Sequence, residues 1–213
     1  MTSTKARTGG STAKGRSVPV VAIVFGVIAV ALVAAVAFGG NSEVQSEYGS
    51  PSIEGALPLM PPSASVDTSA AGMEAPTIVG QDFDGNTVSI GNDGRAKAIV
   101  FLAHWCPHCQ QEVPRVQAWL DQGGGVDGVD IYSVSSAMNS GRPNYPPSAW
   151  LEREGWTVPV IRDDADNSAL VAYGAGGFPY WVFVNADGTV ALRTAGETSI
   201  EQLVATMEQL DKG

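Results

Sequence analysis

Hydrophobic and polar positions divide the chain into three stretches with different patterns. Val18 to Phe38 (VPVVAIVFGVIAVALVAAVAF) runs for 21 positions without a charge and is apolar all round. A buried core helix normally keeps one polar face, so this pattern predicts a membrane-spanning helix. At ~1.5 Å rise per residue such a length crosses a hydrocarbon core of roughly 30 Å. Pro19 falls in the first turn, where its missing N–H costs least. Asn41 to Ala75 shows neither helical nor strand periodicity and is rich in Ser, Ala, Gly and Pro. It is expected to be a flexible tether, with Leu57, Leu59 and Met60 solvated.

From Pro76 onward, 138 residues carry the alternation of strand and helix patterns expected of one domain. Thr77–Val79 and Thr87–Ile90 flank Asp84-Gly85-Asn86 and predict a hairpin. Ala96–Leu102 is a continuous apolar run, the mark of a strand buried on both faces. Pro107–Asp121 reads as a helix stopped by Gly123-Gly124-Gly125, Val129–Val134 as a second central strand, and Val158–Arg162 as a third. Short helices are expected at Pro147–Arg153 and Ser168–Tyr173. Tyr180–Val184 and Thr189–Thr194 form a second hairpin, and a final helix over Ser199–Leu210 is capped by Ser199. The order predicts an α/β domain with a mixed central sheet flanked by helices and preceded by an N-terminal β-hairpin. The glycine runs lack the lysine and the strand-to-helix setting of a phosphate loop.

Charge adds a direction to this layout. Acidic residues outnumber basic ones 22 to 12, a formal charge of −10, which argues against holding nucleic acid through the overall field. Lys5, Arg7, Lys14 and Arg16 precede the apolar stretch, and the next basic residue is Arg95. That asymmetry places residues 1–17 in the cytoplasm, 18–38 in the membrane as a single-pass anchor, 39–75 as a linker and 76–213 outside the cytoplasm. A cleaved signal peptide, with Ala35-Val36-Ala37 as its small-residue site, is the alternative. Its apolar core would normally be shorter, roughly 7–15 residues, so the retained anchor is preferred. Both readings export the domain.

Every cysteine and every histidine lies within His104-Trp105-Cys106-Pro107-His108-Cys109, where the apolar strand ends and the helix begins. Cys106 then falls in the helix N-cap region, where free N–H groups and the positive end of the dipole stabilise a thiolate. Cys109 lies one turn deeper, within reach of a disulfide. Pro107 suits the first helical position, and His108 adds a donor or, when protonated, a positive charge beside Cys106. A nucleophilic thiol with a resolving thiol is what thiol–disulfide exchange requires. A structural disulfide closing so short a loop would gain little entropy, and a zinc site lacks a second ligand pair. Copper handling, through thiols and imidazoles, is the alternative from another class of function.

Trp105-Cys106-Pro107-His108-Cys109 after an apolar strand, with Gly177-Phe178-Pro179-Tyr180 some seventy residues later, resembles the thioredoxin fold. The leading hairpin with Asp84-Gly85, the run Cys109-Gln110-Gln111-Glu112-Val113-Pro114 and the extra segment between the second and third central strands resemble its membrane-anchored, extracytoplasmic TlpA/ResA-like branch. The resemblance implies that Pro179 is cis and sits against the cysteines, that Phe178 pairs with the client backbone, and that Pro114 kinks the helix. It also implies that Cys106 is the nucleophile, Cys109 the resolving thiol and His108 a tuning group, with Trp105 and Pro179 shaping the substrate groove. No cofactor beyond the redox-active pair is expected. Expected partners are exported cysteine-containing proteins and a membrane redox partner.

The resemblance is incomplete in two places. Where classical thioredoxins carry a buried acid six residues before the first cysteine, this chain has Val100, so a proton acceptor for Cys109 must be Glu112 or water. Pro107-His108 is the dipeptide of the strong oxidase DsbA, whereas typical members of the anchored branch are reductants. A thiolate pKa near ~3.5 accompanies a potential near −120 mV, and one near ~7 accompanies about −270 mV. The dipeptide therefore predicts an oxidase with a potential above about −200 mV; a reductase, as in apocytochrome c maturation, is the alternative. His104 is expected at the solvent edge, and Trp150, Trp156 and Trp181 in the core or groove wall. Asp163, Asp164 and Asp166 are expected to form a solvated helix start rather than a calcium loop.

Overall fold

The computed structural model describes residues 1–2 and 47–212. The basic stub beyond Thr2 and the expected span Val18–Phe38 lie outside the described residues, among which no helix is long and apolar enough to cross a membrane. Among the described residues, nine strands and four helices follow in order: β1 Ser52–Glu54, β2 Val66–Asp67, β3 Thr77–Gln81, β4 Thr87–Ile90, β5 Ala96–Leu102, α1 Pro107–Asp121, β6 Val129–Ser135, α2 Pro147–Arg153, β7 Val160–Arg162, α3 Ser168–Ala172, β8 Tyr180–Val184, β9 Val190–Ala195 and α4 Ile200–Glu208.

The main sheet has the order β2-β9-β8-β5-β6-β7. β5, β6 and β7 run parallel, and β8, β9 and β2 are joined antiparallel, so the sheet is mixed. Alternation along the two central strands sorts their side chains between two cores. Ala96, Ala98, Val100 and Leu102, with Trp181 and Phe183, pack with Val113 and Val116 of α1 and Leu203 and Met207 of α4. Ile99 and Phe101, with Tyr180, Val182 and Val184, form the other core with Ile78, Ile90, Met60 and Tyr173. Because both faces are covered, β5 and β8 are buried at every position and read as apolar runs, interrupted in β5 only by Lys97, whose Nζ pairs with Asp93 and donates to the Arg95 carbonyl at 2.9 Å. The capping box on α4 joins the Ser199 side chain to the Gln202 N–H and the Gln202 side chain to the Ser199 N–H.

The expectation of a flexible tether through residue 75 does not hold for residues 47–75. β1 pairs with β3 to make a three-stranded sheet with β4, and β2 caps the edge of the main sheet beside β9. Leu57 and Met60 are buried, their N–H groups donating to the Ala172 and Gly174 carbonyls at 2.8 Å each; Leu59 alone of the three is exposed. Asp67 meets the fully buried Arg193 guanidinium, which also donates to the Pro58 carbonyl at 2.7 Å. This strap is held by isolated inward residues and by backbone bonds to partners more than a hundred positions away. Such binding leaves no period in the sequence.

Two smaller expectations also change. Asp163 is fully buried rather than solvated: its carboxylate accepts from Ser136 Oγ at 2.7 Å and from the Ala169 and Leu170 N–H groups at the start of α3. His104 is fully buried rather than at the solvent edge. Trp150 and Trp181 are core residues, and Trp156 is half-buried.

Candidate active site

β5 delivers the chain to the site and α1 begins there. The Cys106 N–H donates to the Ala103 carbonyl at 3.0 Å, and Cys106 itself is the N-cap of α1 (φ −76°, ψ 121°), with Pro107 opening the helix. No side chain caps this N-terminus and no acidic residue lies in its first turn, so its N–H groups and positive dipole end remain available to a sulfur. Cys109 is buried completely, and its Sγ accepts from the Ala103 N–H at 3.5 Å. Cys106 retains 7% exposure. Both cysteines are free thiols.

The second wall comes from the loop before β8. The Phe178–Pro179 bond is cis, and the Phe178 carbonyl lies 3.7 Å from Cys106 Sγ. Trp105 stands edge-on to Phe178 with ring centroids 6.2 Å apart, and its indole N–H donates to the Ala137 carbonyl at 2.7 Å. Trp105, Cys106, Phe178 and Pro179 are thus brought together.

The two sulfurs are electrostatically unlike. A hydrogen bond from Cys109 is the largest influence on Cys106; with the backbone N–H groups of Cys109 and His108 and the nearby imidazole charge, it outweighs burial and lowers the Cys106 pKa to about 5. The same interaction with Cys106, together with burial, pushes the Cys109 thiol far up. One sulfur is held as a thiolate and the other as a thiol. The charge of His108 is the last of the causes acting on Cys106, so the helix start and the partner thiol do more than the dipeptide.

His108 is exposed, and its Nδ1 lies 2.6 Å from Glu197 Oε1, a hydrogen bond that raises its pKa against the opposing effect of desolvation, with the Cys106 and Glu197 charges acting in the same upward direction. Glu197 also receives Arg115 Nη1 at 3.2 Å, and Arg115 pairs with Glu112. Glu112 is buried beneath the site, where it accepts from Trp181 Nε1 at 2.9 Å. Burial pushes its pKa up, against the opposing effects of Trp181, Arg115 and the Thr198 N–H. A continuous polar path therefore runs from the exposed dipeptide to a buried carboxylate that acts electrostatically on Cys109. Arg115 and Glu197 escaped the sequence reading: Glu197 lies 89 positions from His108, in a loop without pattern. Ala103 escaped it too, since it acts through its N–H alone.

A thiolate over a sealed thiol, at a helix start facing a cis-proline loop, defines a thiol–disulfide oxidoreductase of the thioredoxin fold. The family model for Redoxin matches residues 70–210, and the chain belongs to that family. It is 29% identical over 143 residues to the thiol-disulfide oxidoreductase ResA of Geobacillus thermodenitrificans (strain NG80-2), covering 66% of this chain and 78% of that one. Against sporulation thiol-disulfide oxidoreductase A of Bacillus subtilis (strain 168) the identity is 25% over 126 residues, with 59% and 74% covered. The thioredoxin domain of a thiol-disulfide oxidoreductase from Bacteroides vulgatus superposes with a TM-score of 0.51 at 26% identity, covering 66% of this chain and 96% of that one. A DsbF homologue from Corynebacterium diphtheriae shares the fold with a TM-score of 0.58 at 17% identity, covering 73% and 100%.

Proposed function

We propose that this oxidoreductase works as an oxidase of exported proteins, accepting two electrons from client dithiols at Cys106–Cys109. The observation that carries this reading is the low-pKa Cys106 sulfur beside Phe178, above a Cys109 sealed from solvent. Starting from the disulfide form, a client thiolate attacks Cys106 Sγ, the Cys106–Cys109 bond breaks, and a mixed disulfide forms. Cys109 leaves as a thiolate and takes a proton, which Glu112, with its raised pKa, or water supplies. The client's second thiolate then attacks its own sulfur in the mixed disulfide and expels Cys106. A thiol of low pKa leaves readily, which favours this direction. No cofactor is needed beyond the cysteine pair, and a membrane redox partner restores the disulfide.

The placement proposed with it is a single-pass anchor at residues 18–38, a cytoplasmic N-terminus and an extracytoplasmic domain. It rests on the uncharged run and on the four basic residues before it. A reductase remains the second reading, because most of the stabilisation of Cys106 comes from Cys109 and the helix start rather than from His108. The copper alternative draws on fewer groups than expected: His104 has both ring nitrogens engaged by backbone, and His108 is paired with Glu197.

Two measurements test the proposal. The reduction potential is expected above about −200 mV, and a value below about −250 mV rejects the oxidase. In Cys109→Ala, Cys106 is expected to accumulate in mixed disulfides with natural clients, captured in the full chain. If Cys106→Ala traps them instead, the assignment of the nucleophile is wrong.

A further inference from the structure

The site rim carries one cation that the redox chemistry does not use. Arg142 lies in the loop between β6 and α2, exposed, with its guanidinium carbon 4.9 Å from the centre of the Trp105 ring. The other positive groups near the cysteines already have carboxylate partners: His108 has Glu197, and Arg115 has Glu112 and Glu197. Arg142 makes no ion pair among the described residues. Its charge is unmatched in a chain with 22 acidic residues.

The loop is held in place with care. The His104 imidazole, with no solvent exposure, donates from Nδ1 to the Pro143 carbonyl at 2.7 Å and accepts at Nε2 from the Asn139 N–H at 3.1 Å. The two bonds grip the loop on either side of Arg142. Trp105 Nε1 fastens Ala137, Tyr48 Oη donates to the Met138 carbonyl at 3.0 Å, and the Arg142 N–H closes a turn onto the Asn139 carbonyl at 3.1 Å. Asn144 is tied to Arg153 and to the His104 carbonyl. A histidine two residues before the nucleophile thus spends its whole hydrogen-bonding capacity on positioning this loop.

We infer that Arg142 is a specificity-determining residue that receives a carboxylate side chain of the client, two positions along the client strand from the cysteine that reacts with Cys106. This deepens the proposed function and rests on the exchange reaction, not on its direction. Phe178 links the Cys106 sulfur, 3.7 Å from its carbonyl, to the Trp105 ring, 6.2 Å from its own, and the Arg142 guanidinium carbon lies 4.9 Å from that same Trp105 ring. Alternate residues of an extended client point the same way at about 7 Å spacing, so an acid two positions from the client cysteine faces the same rim as that cysteine. A guanidinium offers the planar fork that a carboxylate fits, and stacking on indole preorganises it.

The test is a two-by-two cycle with the full chain. Two cysteine peptides differing only in Glu or Gln two residues from the cysteine are reacted with wild type and with Arg142→Gln, in 50 mM and 500 mM salt. The ratio of Glu to Gln rate constants is expected to fall about fivefold in the variant at low salt, as an exposed charge pair allows. Most of that effect should vanish at high salt. Arg142→Lys should restore part of it, having charge without the fork. Taking ratios cancels the effect of the neighbouring charge on the peptide's own thiol. A cycle value near one, or an equal loss of rate with both peptides, overturns the inference. The cycle is run with reduced peptides on the disulfide form and with disulfide peptides on the dithiol form. A potential below −250 mV would thus reject the oxidase and leave this result standing.

Discussion

Arg193 on one face of the central sheet and Glu112 on the other are both buried charged side chains, and the two are treated in opposite ways. On the strap face, Arg193 is completely enclosed, and its guanidinium is met by Asp67 and by the Pro58 and Tyr173 carbonyls. Burial opposes the ionisation of Asp67, but bonds from Ser69 and Arg193 outweigh it, so the carboxyl is held below its usual range. On the helix face, Glu112 has partners too, yet there burial wins and its pKa is raised. The first arrangement is locked in its charged form and can only hold structure. The second can take up and release a proton, and it acts on Cys109. A raised value alone does not mark chemistry, since burial also raises Asp163 at the start of the Ser168–Ala172 helix; what sets Glu112 apart is that it also acts on Cys109.

The largest expected effect breaks the strap side. Arg193→Met leaves Asp67 buried without its partner and is expected to cost about 3–5 kcal/mol in denaturant unfolding. The reduction potential of the remaining folded protein should stay that of wild type, because the pair lies across the sheet from the cysteines. A shifted potential with little loss of stability would erase the distinction between the faces.

On the helix side, Glu112→Gln keeps an acceptor for Trp181 and removes the titratable proton. Exchange is expected to slow on the order of 10²-fold in the step where Cys109 gains or loses its proton, measured by stopped-flow at pH 7. The stability effect has the opposite sign. A carboxyl with a raised folded pKa contributes stability that is present below its ordinary value near ~4.3 and lost as pH rises through the folded value. The variant should therefore gain on wild type in stability as pH rises from 4 to 7. If the rate is unchanged, water rather than Glu112 serves Cys109.

How much of this was legible follows from how each feature is encoded. β5, α1 and α4 depend on local periodicity and capping, and the Cys-x-x-Cys pair is contiguous; all of them read directly from the chain. The strap does not, because Leu57, Met60 and Asp67 are fixed by Ala172, Gly174 and Arg193, whose proximity only the finished fold creates. Asp163 and His104 misled for the same reason: polar residues at element ends are usually solvated, and these are enclosed by groups that tertiary contact brings to them. Glu197 carried no signal at all. The sulfur chemistry, with His108 and Glu112 beside it, is legible in the chain; Arg115 and Glu197, which join those two side chains, are not.

The smallest effect sharpens the helix side most. Glu197 raises the His108 pKa, so the imidazolium that favours the Cys106 thiolate persists at pH values above the ordinary ~6.5 and is lost as pH rises through the raised value. Removing the ring in His108→Ala should weaken the Cys106 thiolate at every pH where wild-type His108 is charged, raising the Cys106 pKa by about one unit at most, since His108's charge is the weakest of the causes. Each such unit lowers the two-electron potential by about 30 mV. Glu197→Gln should behave differently. At pH 5.5 His108 is protonated with or without Glu197, so the variant's potential should match wild type or lie slightly above it, a nearby negative charge having gone. Between the pH at which the unassisted ring loses its proton and the higher one at which the Glu197-paired ring does, the potential should drop toward that of His108→Ala. The difference between the two variants is thus a function of pH, which a merely structural role for Glu197 would not produce. Potentials measured against glutathione at pH 5.5 and 7.5 decide it: parallel lines for wild type and Glu197→Gln would show that the carboxylate braces Arg115 over Glu112 and has no part in holding the charge beside Cys106.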